Sequence, residues 1–195
     1  MTGMRRAVFL DRDGTINVEK DYLHKIEDFE FIPGVPEAIK RLRDAGFLII
    51  VVSNQSGVAR GYFDEHAVNR LHRHIQAELA SYGTSIDAFY FCTHHPEQGV
   101  GEYRVACGCR KGAPGMLLQA AHEHNIDLHN SFMVGDKLAD IEAGERAGCR
   151  SLLVLTGYGN SAAASSGSTL IEKCPDLACA AGVILDKYTE HNGNH

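Results

Sequence analysis

The segment Arg6-Ala7-Val8-Phe9-Leu10 is apolar at every position after its arginine, then breaks into Asp11-Arg12-Asp13-Gly14-Thr15. A strand with one wetted face alternates; one that is apolar throughout is buried on both, as inside a parallel α/β sheet. Phe47-Leu48-Ile49-Ile50-Val51-Val52 repeats the pattern and ends in Ser53-Asn54-Gln55-Ser56-Gly57, and Phe132-Met133-Val134 ends in Gly135-Asp136. Ala88 to Phe91 and Ser151 to Leu155 read as two further strands. Helical stretches lie between them. One runs from Val35 to Gly46, with proline near its start and glycine at its end. Another follows Asp64 as N-cap and carries Val68, Leu71, Ile75 and Leu79 on one face. Pro114 to Asn125 and Leu138 to Ala147 complete the series. Strand–helix alternation predicts a three-layer, Rossmann-like α/β fold with a mostly parallel sheet, expected as one domain over residues 1–195. The Ser/Ala/Gly-rich run from Gly157 to Thr169 reads as a mobile loop, and Glu190 to His195 as a fraying end.

Composition narrows the function classes. A net charge of -6 argues against a nucleic-acid surface. No stretch has the apolar length of a membrane span, and no secretory signal is visible, so a cytoplasmic location is expected. No long amphipathic stripe is left to spare, which makes a monomer the expectation. Of six cysteines, three fall between positions 92 and 109 beside histidines, which favours metal over disulfides. Cys149, Cys174 and Cys179 lack partners at metal spacing and read as small core or loop residues, while His66, His72 and His74 read as solvated helix positions.

Ligands of open α/β sheets collect beyond the carboxyl ends of the strands. Asp11 and Asp13, Ser53-Asn54 and Gly135-Asp136 all occupy such ends, and Arg110-Lys111 precedes a helix. Two carboxylates able to share a divalent cation, a hydroxyl, two cations and a third carboxylate are the inventory of phosphoryl transfer. In order and kind these segments resemble the four signature regions of the haloacid dehalogenase superfamily, over about Phe9 to Asp140. The resemblance implies that Asp11 attacks phosphorus and that Asp13 serves as acid and then base. It also implies that Mg²⁺ is held by Asp11, the Asp13 carbonyl and Asp136, and that Ser53 and Lys111 grip the phosphoryl oxygens. Asp140 is either support for this site or a surface acid.

Cys92-x-His94 and Cys107-x-Cys109 offer three thiolates and an imidazole, a set suited to closed, structural Zn²⁺. His95 competes with His94; the family pattern favours the first histidine. Such a zinc would pin the loop 92–109 just before Arg110-Lys111. Within the superfamily the zinc loop resembles two branches, the histidinol-phosphate phosphatases and the heptose 1,7-bisphosphate 7-phosphatases. The twelve residues between His94 and Cys107, together with Asn54 to Gly61, His94-His95-Pro96 and Met133 to Lys137, look like the heptose branch. Two departures occur: Gly112 follows Lys111 where proline is common, which would loosen the lysine, and Asp21 replaces a frequent glycine. No cap domain fits between the strands, so loops must recognise a small phosphorylated sugar. The expected substrate-binding residues are Glu19, Lys20, Asp21 and Tyr22; Ser53, Asn54, Gln55 and Ser56, with Arg60 nearby; Arg110 and Lys111; and Lys137. The reading is a Mg²⁺-dependent phosphatase acting on the C7 phosphate of a heptose bisphosphate. A histidinol-phosphate or other small phosphomonoester phosphatase is the alternative within enzymes, and a non-catalytic zinc-stabilised binding module the alternative outside them.

Overall fold

The structure is a computed structural model that describes residues 3–167 and 171–192, with side chains through residue 188. Six strands make one sheet in the order β3-β2-β1-β4-β5-β6, with every neighbouring pair parallel. They are β1 (Ala7–Leu10), β2 (Leu48–Asn54), β3 (Ala88–Cys92), β4 (Phe132–Gly135), β5 (Arg150–Val154) and β6 (Glu172–Cys174). The helices are α1 (Val35–Asp44), α2 (Ser56–Ala59), α3 (Glu65–Ser81), α4 (Gly115–His124), α5 (Leu138–Ala147), α6 (Gly159–Ser165) and α7 (Leu177–Asn192).

Alternation along each strand divides the apolar side chains between two layers. Val8, Leu10, Ile49 and Val51 pack against Ile39 and Leu42 of α1, Leu71 and Ile75 of α3, and Ile184 of α7. Ala7, Phe9, Leu48 and Ile50 face the other way, onto Met116, Leu117 and Ala120 of α4 and Ala143 of α5. Both sheet faces are therefore dry, which is why the strands read as unbroken apolar runs. The winding reverses at β1: β2 and β3 lie on one side of it, β4 to β6 on the other. That reversal leaves a crevice beyond the carboxyl ends of β1, β2 and β4, where the polar signatures lie. Among the described residues no insertion forms a cap over it.

Three expectations need correction. The run from Gly157 to Thr169 is not simply a loop: its three successive alanines are strong helix formers, and α6 forms there with Ala162 packed against Ile141 and Leu153. Residues 168–170, at the end of that run, lie outside the described residues. The chain's end, expected to fray from Glu190, belongs to a helix that was not expected, α7, which runs through Asn192; residues 193–195 are outside the described residues. Leu177, Ala180, Ala181 and Ile184, all fully buried, give α7 its inner face, and Asp176 accepts the Cys179 N–H at its start.

His72 is the third. Four residues after Val68 and three before Ile75, it falls on the buried face of α3, only 4% exposed. Its ring stacks on Phe89 at 4.4 Å and meets Phe91 edge-on at 5.6 Å. Burial, with Arg12 adding repulsion, pushes its pKa down from 6.5 to about 3. The ring is thus neutral when folded, while the unfolded chain takes up a proton below 6.5. Stability is therefore lost as pH falls through that value, by about 2 kcal/mol between pH 7 and 5. Urea unfolding at the two pH values should show His72→Phe losing about 2 kcal/mol less than the parent; equal losses would sink this assignment.

Candidate active site

Asp11 follows β1 directly, and its N–H donates to the Val134 carbonyl, locking it to β4. Its carboxylate is nearly buried, at 3% exposure. Lys111 reaches it from the start of the α4 region, with Nζ 2.5 Å from Asp11 Oδ1 and 2.7 Å from Asp140 Oδ1. Burial would depress this lysine, yet Asp11 and Asp140 outweigh it and hold its pKa above the ordinary value. The backbone is fixed as well. Asn54, at the end of β2, accepts the Lys111 N–H at 2.8 Å.

Gly112 does not loosen the lysine as expected. It sits at φ +95°, where proline could not, and donates its N–H to Ala139 at 2.9 Å, a bond proline lacks. Its carbonyl accepts from Arg146 at 2.8 Å. The departure from the family pattern trades one rigid element for the N–H bond to Ala139.

Asp136 and Asp140 are fully buried. With Asp11 they offer carboxylate oxygens that all lie within 4.8 Å of one another. Burial first, then the Asp11 charge, raises Asp136 to about 7 and Asp140 to about 6. Asp140 accepts the Lys137 N–H at the start of α5 and pairs with Lys111, so it belongs to the site and is no surface acid. Asp136 accepts the Tyr158 N–H through Oδ2, while Oδ1 is buried without a hydrogen-bond partner. The backbone leaves room for this carboxylate only because Gly14 and Gly157 flank it: a Cβ on either would come within 2.3 Å of Asp136 Oδ2. Lys137 Nζ stands 3.8 Å from Oδ1, beyond hydrogen-bond reach. A buried carboxylate oxygen without a hydrogen bond beside a second buried carboxylate fits a divalent cation, with oxygen ligands of the kind Mg²⁺ takes.

Asp13 points into the cleft but is tied down by Arg12, Asn17 and Gln55. Burial would raise its pKa; the Arg12 charge and these hydrogen bonds bring it below the usual carboxylate value. Ser53 is buried, its Oγ accepting from Gln55 Nε2 at 2.6 Å, which leaves the hydroxyl proton free to donate.

The cleft above these groups has a volume of about 420 Å³, within the range of small-molecule sites. Of the residues expected to bind substrate, Glu19, Asp21, Tyr22, Asn54, Gln55, Ser56, Arg110, Lys111 and Lys137 line it. Lys20 does not; it is exposed and pairs with Glu30 at 3.2 Å. Asp21 and Tyr22 both carry positive φ, 41° and 60°, which explains why glycine suits position 21. Tyr158 holds this strained loop, its hydroxyl donating to Asp21 at 2.8 Å and its ring lying 4.9 Å from Lys137 Nζ. Sequence reading missed Tyr158 because it lay in the presumed loop, although its place just past β5 is a strand-end position like the others.

The sulfurs of Cys92, Cys107 and Cys109 lie 3.1–3.5 Å apart, too far for a disulfide. His94 Nδ1 is 3.6 Å from Cys109 Sγ and 3.9 Å from Cys92 Sγ. A tetrahedral zinc with Zn–S bonds near 2.3 Å spaces its sulfurs about 3.8 Å apart, so the set fits with a slight expansion. His95 turns away and accepts the N–H groups of Glu97 and Gln98 on Nδ1. Burial pushes the Cys92 thiol up, while Cys107 comes down to about 7 because hydrogen bonds from Cys109 and the Arg110 backbone outweigh its burial.

A buried strand-end aspartate paired to a buried lysine, beside a carboxylate cluster at the reversal point of a parallel sheet, defines an aspartate-based phosphotransferase centre. Residues 108–180 match the HAD-hydrolase-like family model. The D-glycero-beta-D-manno-heptose-1,7-bisphosphate 7-phosphatase of Haemophilus ducreyi is 50% identical over 155 residues, 78% of this chain and 85% of that protein. The protein of the same name from Escherichia coli K12 is 48% identical over 152 residues, 77% and 80% of the two chains. A D,D-heptose 1,7-bisphosphate phosphatase from B. bronchiseptica, solved with magnesium and phosphate, superposes with a TM-score of 0.84 at 36% identity, covering 93% of this chain and 99% of that one. The chain belongs to the heptose-1,7-bisphosphate 7-phosphatase family of haloacid dehalogenase-like phosphomonoester hydrolases.

Proposed function

We propose that this enzyme removes the C7 phosphate of D-glycero-D-manno-heptose 1,7-bisphosphate, in cytoplasmic synthesis of heptose precursors for lipopolysaccharide or other bacterial surface glycans. The observation that carries the reading is the contact of Lys111 with Asp11 at the cleft floor. Lys111 holds Asp11 through Oδ1 and leaves the other carboxylate oxygen as nucleophile. Asp11 attacks phosphorus, the P–O bond to the sugar C7 oxygen breaks, and the protonated form of Asp13, a minor form at rest because Arg12 lowers its pKa, gives the departing alkoxide a proton. Water then attacks the aspartyl-phosphate; Asp13 takes its proton, and inorganic phosphate leaves with Asp11 restored. Ser53 and Lys111 donate to the equatorial oxygens as charge builds there. Mg²⁺, held by Asp11, the Asp13 carbonyl and Asp136, would neutralise phosphoryl charge during the approach of one anion to another.

Arg110 and Lys137 both line the cleft and suit the second phosphate, with Glu19, Asp21, Tyr22, Asn54 and Ser56 toward the sugar hydroxyls; the Gln55 amide is already taken up by Arg12, Asp13 and Ser53. Lys20 has no part in this proposal. Zinc on Cys92, His94, Cys107 and Cys109 would fix the loop that carries Arg110, whose guanidinium donates to the His94 carbonyl at 3.1 Å. The test is kcat/KM for both anomers of the bisphosphate and for histidinol phosphate. The heptose bisphosphate should be preferred at least tenfold, with the β anomer of the relatives' name ahead; preference for histidinol phosphate overturns the reading.

A further inference from the structure

Arg12 occupies the position between the two motif aspartates, and its side chain is wholly buried. A guanidinium seldom survives without water unless carboxylate and carbonyl partners surround it. Here Nε and one terminal nitrogen hold Asp13 as a fork, at 3.1 Å and 3.0 Å to Oδ1 and 2.9 Å to Oδ2. The same nitrogen donates to the Leu23 carbonyl at 3.0 Å and to Gln55 Oε1 at 3.3 Å. Gln55, itself buried, then points its amide nitrogen at Asp13 Oδ2, 3.1 Å away, and at Ser53 Oγ. Asn17 adds a 3.0 Å bond to Asp13 Oδ1, while the other terminal nitrogen of Arg12, Nη1, is buried without a hydrogen-bond partner. One buried cation and one buried amide therefore connect the carboxylate of Asp13 to the hydroxyl of Ser53, across the ends of β1 and β2.

We propose that Arg12 and Gln55 are positioning residues for the leaving-group step: they fix the rotamer of Asp13 and keep it in register with Ser53. Gln55, expected from the sequence to meet the substrate, acts through Asp13 and Ser53 instead. The inference rests on the reading of Asp13 as proton donor to the departing alkoxide. A planar fork explains why the residue is arginine: a lysine ammonium in the same place keeps the charge but cannot fix the plane of the carboxylate.

Leaving-group dependence separates this from a general structural role. kcat/KM reports every step up to departure of the leaving group. An alkoxide needs the Asp13 proton, whereas p-nitrophenolate leaves well without one. Arg12→Lys and Gln55→Ala should each lower kcat/KM for the sugar phosphate by 10-fold to 100-fold and for p-nitrophenyl phosphate by less than 3-fold. Asp13→Asn should show the same split, and adding Arg12→Lys to it should cost little more. Equal losses on both substrates, or no loss, would overturn the proposal. If Asp13→Asn itself shows no split, the acid assignment is wrong; if it shows the split and the other two do not, only the positioning role is. Because Arg12→Lys removes packing from a buried site, Gln55→Ala gives an independent variant that leaves the buried charge in place.

Discussion

Asp11→Asn should yield a folded protein whose turnover is lower by on the order of 10⁴-fold or more, since no other group can carry the phosphoryl group through the first step. The amide is nearly isosteric, so the packing of β1 is unchanged, and the backbone bond to Val134 remains. Electrostatics should favour the variant when metal is absent. Three buried carboxylates share the site with one buried lysine, and Asp11 raises the pKa of both Asp136 and Asp140. Neutralising Asp11 removes that repulsion, while Lys111 keeps Asp140 at 2.7 Å. In chelator, the melting temperature of Asp11→Asn should equal or exceed that of the parent, and Mg²⁺ should raise it less. Such a site stores repulsion that a cation relieves, which is how activity is held at the expense of stability. Thermal scans with and without Mg²⁺, beside steady-state assays, check both halves. Retained turnover would remove Asp11 as nucleophile.

Much of this architecture was legible because burial on two faces leaves a mark that needs no tertiary knowledge. Val8 to Leu10 and Ile49 to Val52 could belong only to interior strands, and their polar endings then had to share one edge of the sheet. Asp64 was readable as a cap, and its carboxylate does accept the Ala67 N–H at 2.8 Å. Elements stabilised mainly by tertiary contact left less. β6 is only Glu172–Cys174, with two exposed residues, and owes its existence to pairing with Leu152–Val154. α7 did carry a signal, Leu177, Ala180, Ala181 and Ile184 at helical spacing, but alanine is a weak mark of burial. At the site, the supporting polar residues were harder to read than the motifs. Arg12, Asn17, Asp140 and Tyr158 owe their roles to partners distant in sequence or to burial, neither of which composition reports. Asp140 illustrates the point: its spacing from Asp136 suits a surface acid equally well, and only the approach of Lys111 from another segment decides the matter.

Loss of the zinc proposed for the cysteine cluster should damage recognition as well as stability. Three sulfurs within 3.5 Å of one another gain nothing from proximity as thiols and require a cation if deprotonated. The loop 92–109 is otherwise tied to the rest of the protein by the Val100 N–H to the Ala59 carbonyl and the Tyr103 hydroxyl to Glu65. At its two ends the Gln55 N–H reaches the Cys92 carbonyl and the Gly115 N–H the Gly108 carbonyl; none of these spans the middle of the cluster as a metal would. Metal analysis of the purified protein should give one zinc per chain, and Cys107→Ser should lose it. Binding that holds only in the folded state is folding free energy, so the melting temperature should fall by on the order of 10 °C. The kinetic consequence follows from the chain's path. Cys109 is succeeded at once by Arg110 and Lys111, but the two residues are anchored differently: Arg110 hangs on the His94 carbonyl inside the metal loop, whereas Lys111 is also held by Asn54, Asp11 and Asp140. Zinc loss should therefore raise KM for the bisphosphate more than it lowers kcat, and should affect p-nitrophenyl phosphate, which has no second phosphate for Arg110, much less. A Cys107→Ser protein with the parent's melting temperature and unchanged KM would show that the cluster holds no structural metal. A uniform fall in kcat on both substrates would instead mean that the loop's main load is Lys111.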